Sequence, residues 1–251
     1  IYYLTLSANQ NYPLAQNNLG YYYYYEALNK DINKALYYFT LAANRNEPKS
    51  QFFLGRHYLY DKRDFNIDKA IYFLELAASQ DIYHAQYELA NAYKYNKKNI
   101  NKAIYYFTLL SKKNIPEAQF SLGQIFLDGR YVILDINKAI YYFSLASDQN
   151  FCMAQIKLGK IYLKGIFIER NIQKSIHYFT LAANQNDPKG QYYLGLIYFQ
   201  GKYIQKDIPK AIHYFLLSAG QKNKKALRYL GVYYLGIKHD VNKSIHCFTL
   251  S

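Results

Sequence analysis

A nine-residue phrase returns seven times in this chain and limits it to one kind of architecture. It reads Asp31-Ile-Asn-Lys-Ala-Leu-Tyr-Tyr-Phe39, then Asn66-Ile-Asp-Lys-Ala-Ile-Tyr-Phe-Leu74, then Asn99-Ile-Asn-Lys-Ala-Ile-Tyr-Tyr-Phe107, and starts again at Asp135, Asn171, Asp207 and Asp240. Its lysine falls at Lys34, Lys69, Lys102, Lys138, Lys174, Lys210 and Lys243, so the steps are 35, 33, 36, 36, 36 and 33 residues. A fixed period in this range is the signature of a repeat array, in which each unit completes its core only by stacking on its neighbours.

A second phrase lies between the first: Ala15-Gln-Asn-Asn-Leu-Gly20, closed by Tyr23, then Ser50-Gln-Phe-Phe-Leu-Gly55, closed by Tyr58, with further copies from Ala85, Ala118, Ala154, Gly190 and Ala226. Apolar or small residues at i, i+4, i+5 and i+8 form a helical stripe, not a strand alternation. This segment is helix A. Pro13, Pro48, Pro116 and Pro188 sit where proline suits a first helical turn. The lysine phrase is helix B. Its leading Asp or Asn is an N-cap, and Leu36, Phe39, Ala42 and Ala43 continue at helical spacing. Polar stretches such as Asn44–Pro48 end it. Glycine inside a helix costs about 1 kcal/mol against alanine. Its return at Gly20, Gly55, Gly123, Gly159, Gly195 and Gly231 therefore implies that helix B approaches helix A closely at that point.

These motifs together resemble the Sel1-like repeat family, relatives of the tetratricopeptide repeats. The likeness rests on the Ala-Gln-x-x-Leu-Gly-x-x-Tyr of helix A, the Gly129–Asp135, Gly165–Asn171 and Gly201–Asp207 loops, and the Asp-x-x-Lys-Ala-x-x-Tyr-Phe of helix B. It spans essentially the whole chain. Gly20 to Ala35 is 15 residues and Gly123 to Ala139 is 16, longer than a plain tetratricopeptide unit would have. Tyr131, Phe167 and Tyr203 stand where the family's loop often has a second glycine, and Tyr38 stands where it often has tryptophan. The resemblance implies an all-α, right-handed α-solenoid of antiparallel helix pairs with A helices on the concave side. The expected division is one array: a partial repeat over residues 1–11, then repeats over about 12–46, 47–80, 81–114, 115–150, 151–186, 187–221 and 222–251. Ile1–Ala8 aligns with the second half of helix B, and Phe248–Ser251 ends within one, so the expectation is a segment of a longer protein.

Composition bounds the function classes. At 251 residues and 51% apolar, the chain can bury a large core, and no run approaches the ~18 apolar residues of a membrane span. Its two cysteines, Cys152 and Cys247, lie two repeats apart in different helix types, so a disulfide is not expected; the mild preference is for a reducing, cytoplasmic setting. The formal charge of +14 points toward anionic partners. Yet the chain overuses Lys, Asn, Ile, Tyr and Phe, which AT-rich codons supply without selection, and only Lys222–Arg228 is a basic cluster. Nucleic acid or an acidic surface is thus the lesser expectation.

No phosphate loop, dinucleotide fingerprint or nucleophile elbow is present. His177, His213 and His246 share one repeat position and would stand about 10 Å apart, too far to share a metal. No catalytic, metal or cofactor residue is assigned, and no enzyme activity is expected. The repeated lysine reads as a stem packed over its neighbouring turn with the ammonium in water, the lesser reading being a row of anion hooks. A further helix-B stripe pairs Tyr37/Leu41, Tyr72/Leu76, Tyr105/Leu109, Tyr141/Leu145, His177/Leu181, His213/Leu217 and His246/Leu250 at i and i+4. In the family these positions are commonly polar. Here they read either as extra core between repeats, the favoured reading, or as an exposed stripe that would mark a partner surface.

The expected function is a non-catalytic scaffold or adaptor that holds a protein or an extended peptide in the concave groove. The candidate groove pairs on helix A are Asn17/Tyr21, Phe52/Arg56, Tyr87/Asn91, Phe120/Gln124, Ile156/Lys160, Tyr192/Leu196 and Arg228/Val232, a mixture of aromatic, polar and basic side chains such as binding hot spots use. A regulatory segment of a larger enzyme, such as a kinase, is the alternative the resemblance allows.

Overall fold

The computed structural model describes residues 1–26, 30–96 and 99–251, which include every candidate position named above. Among them are fifteen α-helices and no strand. They form two compact units, Ile1–Ala118 and Gln119–Ser251. The first holds α1 (Tyr2–Asn9), then the pairs α2 (Pro13–Tyr21) and α3 (Ile32–Ala43), α4 (Pro48–Tyr60) and α5 (Ile67–Ser79), and α6 (Tyr83–Tyr95) and α7 (Ile100–Lys112). The second holds most of α8 (Pro116–Asp128) with α9 (Ile136–Asp148), then α10 (Cys152–Lys164) and α11 (Ile172–Asn184), α12 (Pro188–Gln200) and α13 (Ile208–Gly220), and α14 (Lys224–Gly236) and α15 (Val241–Thr249). Even-numbered helices are helix A and odd-numbered ones, from α3, helix B. After α2 the five tyrosines continue into a wider π turn, Tyr22–Glu26.

The repeated phrase starts its helix as its chemistry requires. The side chains of Asp31, Asn66, Asn99, Asp135, Asn171, Asp207 and Asp240 each accept the backbone N–H of the lysine three residues on, at 2.9–3.2 Å. Each satisfies a donor that the first helical turn leaves free, worth about 1 kcal/mol. The turn just after helix B holds a residue with φ near +60°: Asn46, Asp81, Asn114, Asn150, Asn186 and Lys222. Asparagine tolerates that left-handed conformation better than most side chains, which explains its repeated use there.

The glycine of helix A is where the helices close. At Gly195 a Cβ would stand 2.7 Å from the Phe215 ring, and at Gly123 it would stand 2.6 Å from that of Phe143. Phe39, Phe107, Phe143, Phe179 and Phe215 are the largest fully buried side chains. Each contributes about 1.5–3 kcal/mol by leaving water.

A buried amide ladder links successive repeats within each unit. Gln51 Nε2 donates to the Ala43 carbonyl at the end of α3, and its Oε1 accepts Gln80 Nε2 from the end of α5 at 2.8 Å. Gln155 repeats this with Ser147 and Gln185, and Gln191 accepts from Gln221. One glutamine of helix A thus holds the ends of the two B helices beside it.

The helix-B stripe is not core. Tyr37, Tyr72, Tyr105 and Tyr141 are 57–59% exposed, and His177, His213 and His246 are exposed as well. Of their partners Leu217 and Leu250 are exposed, and the other five leucines are half-buried. The reason is geometric: helix A covers the face carrying Ala35, Phe39 and Ala42, and the stripe lies off that face. No described helix is long and apolar enough to cross a membrane.

Candidate partner-binding face

Helix A turns its alanine, leucine and glycine toward helix B, which leaves another face for anything else to touch. The thirteen candidate residues and Val232 divide by burial. Asn17, Phe120, Ile156 and Tyr192 are buried and present no surface. Asn17 Oδ1 accepts the Ser50 hydroxyl at 2.9 Å; Phe120 packs on Phe143 and Phe151; Ile156 joins the cluster around Phe179. Tyr192 lies against Tyr229, and burial, then Tyr229, pushes its hydroxyl up to about 12. These positions do not face a groove, because the next repeat covers them.

The other half of each pair stays accessible. Tyr21, Arg56, Arg228 and Val232 are exposed, and Asn91, Gln124, Lys160 and Leu196 are half-buried, as are Phe52 and Tyr87. In the first unit Arg56 borders a cavity of about 200 Å³, lined also by Tyr25, Phe53, His57 and Tyr60 among others. Tyr21 meets Phe53 edge-on with centroids 4.3 Å apart. Arg56 lies over the rings of Phe52 and Tyr60, and its Nε is 3.7 Å from Glu88 Oε1. The Tyr60 hydroxyl donates to Glu88 Oε2 at 2.5 Å, and burial, then this bond, carries it well above its ordinary range. His57 is buried on the far side, with Nε2 3.0 Å from Asp64 Oδ2.

In the second unit the equivalent of Arg56 is Lys160, whose Nζ sits 5.0 Å over the Tyr193 ring. Lys157 and Lys164 flank it on α10. Sequence reasoning missed Glu88, Lys157 and Lys164. The spacing of Lys157, Lys160 and Lys164 at i, i+3 and i+7 places them on one helix face, so the lysines were legible. The pairing of Arg56 with Glu88, 32 residues away, was not.

Among the described residues no group of three His, Cys, Asp or Glu is placed to hold a metal. Cys152 and Cys247 are free thiols, and burial first, then Asp187, pushes Cys152 up to about 12.

Helix pairs that repeat the N-cap in all seven copies, and the glycine and the glutamine in six each, define a repeat protein. The family model described as Sel1 repeat matches residues 13–47, 48–82, 84–114, 116–151, 152–187, 188–223 and 224–251, and the chain belongs to that family. Sel1 repeat arrays are generally protein-interaction scaffolds. A Sel1 repeat protein from Oxalobacter formigenes is 27% identical and superposes with a TM-score of 0.82 over 98% of this chain and 74% of its own. The c5321 protective antigen of uropathogenic Escherichia coli, which has the same repeat fold, is 23% identical with a TM-score of 0.61, over 98% of this chain and 62% of its own. No curated protein sequence matches.

Proposed function

We propose that this chain is a non-catalytic scaffold or adaptor that binds another protein, or an extended peptide of it, on the accessible face of its A helices. One observation carries this reading. The sixth residue after the small residue of helix A is accessible or half-accessible in every repeat, and it differs each time: Tyr21, Arg56, Asn91, Gln124, Lys160, Leu196 and Val232. The residues around it (alanine, leucine and the glycine contact) barely change. A fixed frame displaying variable side chains is how repeat proteins make binding surfaces. Tyr and Arg on this face are the side chains that most often dominate binding energy. The test is capture of a defined binding protein by the chain and by Arg56→Glu and Lys160→Glu variants. Loss of capture in either supports the reading; unchanged capture in both removes it.

A further inference from the structure

Positive charge is divided unevenly between the two units. Residues 119–251 carry 17 Lys and Arg against 7 Asp and Glu, a net of +10, whereas residues 1–118 carry 14 against 10, a net of +4. The difference reaches the A-helix face. In the first unit Arg56 is answered by Glu88. In the second unit Lys157, Lys160 and Lys164 share one face of α10, and among the described residues none of them is ion-paired to a carboxylate. Asp128, whose charge acts on Lys157, is itself bonded by Arg130 Nε at 2.6 Å. Burial first, then Lys160 and Lys164, holds the Lys157 ammonium below its ordinary range. Among the described residues the three lysines thus have no direct carboxylate contact, and Asp128 acts on Lys157 only from a distance.

The lysines border a cavity of about 200 Å³ closed by Leu127, Ile161, Ile166 and Phe167. Ile166 and Phe167 are 67% and 51% exposed, and follow Gly165, whose φ of +63° turns the chain there. The volume is below the ~300–1,000 Å³ of a pocket that encloses a whole small ligand. It suits one large side chain of an incoming segment. Bases of a single strand would stack on the Phe167 ring, but no arginine lines the cavity to grip phosphate bidentately. Carboxylates flanking an apolar residue match both halves of the site.

We infer that this face of α10 docks an acidic peptide segment of a partner protein, its carboxylates pairing with Lys157, Lys160 and Lys164 and one large apolar side chain entering the cavity beside Phe167. This rests on the A-face reading above and specifies the partner's chemistry. Fluorescence anisotropy tests it, using the 251-residue chain with fluorescein-labelled Glu-Glu-Phe-Glu-Glu and Glu-Glu-Ala-Glu-Glu. The phenylalanine peptide should bind saturably, and the alanine peptide about fivefold or more weakly. Lys160→Glu should weaken binding about tenfold, the equivalent of one lost charge pair. Phe167→Ser should weaken it several-fold while leaving thermal unfolding unchanged, since Phe167 is half exposed. Equal binding of the two peptides, or indifference to both variants, overturns the inference. So does tighter binding of phosphatidylserine vesicles or a single-stranded oligonucleotide that displaces the peptide. If these fail while Arg56→Glu still abolishes partner capture, the A-face reading stands and only the acidic-peptide assignment falls.

Discussion

Lys210 Nζ stands 4.3 Å from the centroid of the Tyr198 ring, across the seam between α13 and α12. Tyr198 in turn stacks on Tyr214, with interplanar angle 9°. The same arrangement joins Lys34, Tyr23 and Tyr38, and again Lys69, Tyr58 and Phe73, Lys102, Tyr93 and Tyr106, and Lys174, Tyr162 and Tyr178. The repeated lysine thus closes an aromatic seam with its ammonium still wet. Exposed contacts of this kind are worth about 0.5–1 kcal/mol, less than a lost N-cap typically costs. Lys210→Met should therefore lower stability less than Asp207→Ala in denaturant unfolding. A larger loss from Lys210→Met would mean that the lysine holds more than the ring.

Gly195 tests the close approach of the helices. Glycine to alanine in a helix normally stabilises by about 1 kcal/mol. Here the new methyl would meet Phe215, and overpacking costs about 1–3 kcal/mol. Gly195→Ala should lower the thermal midpoint, whereas a raised midpoint would show that the seam opens freely. The third repeat already has Ala90 at this position, opposite a fully buried Phe107, so a neighbouring pair can adapt to it.

Gln155 should be among the costliest polar positions. Removing its amide leaves Gln185 Nε2 and the Ser147 carbonyl without their shared partner inside the second unit. Buried polar groups left unsatisfied cost about 1–3 kcal/mol each. Ser147 is buried whereas Gln185 is exposed and can turn to water, so Gln155→Ala should destabilise by about 1–3 kcal/mol, and the exposed Gln200→Ala by almost nothing, in paired urea titrations.

The fold should lose stability in alkali. Burial raises Tyr38, Tyr142 and Tyr162 above the ordinary 10.0 and carries Tyr192 to about 12. The unfolded chain releases these protons from 10.0, and the folded chain only higher. Between pH 10 and about 12 the unfolded state therefore holds fewer protons, and stability falls as pH rises; below pH 10 these groups contribute no slope. Melting midpoints should drop through that window, together with a cooperative rise in tyrosinate absorbance. A flat midpoint across it would contradict the burial of these rings.

The sequence by itself determined the repeat, the helix types, the N-caps and the glycine seam. All of these rest on local spacing: a side chain three residues from an amide, or a stripe at 3.6 residues per turn. It also offered seven i, i+4 pairs of helix A as groove-facing, without distinguishing which member of each pair stays accessible. The tertiary structure decided what neighbouring repeats cover. It buried Asn17, Phe120, Ile156 and Tyr192, exposed Tyr37 and its equivalents, paired Arg56 with Glu88, and left Lys160 beside two further lysines without a carboxylate. Periodicity names a face of a helix, but the packing of one repeat on the next chooses which faces meet water, and that choice joins residues about 30 positions apart.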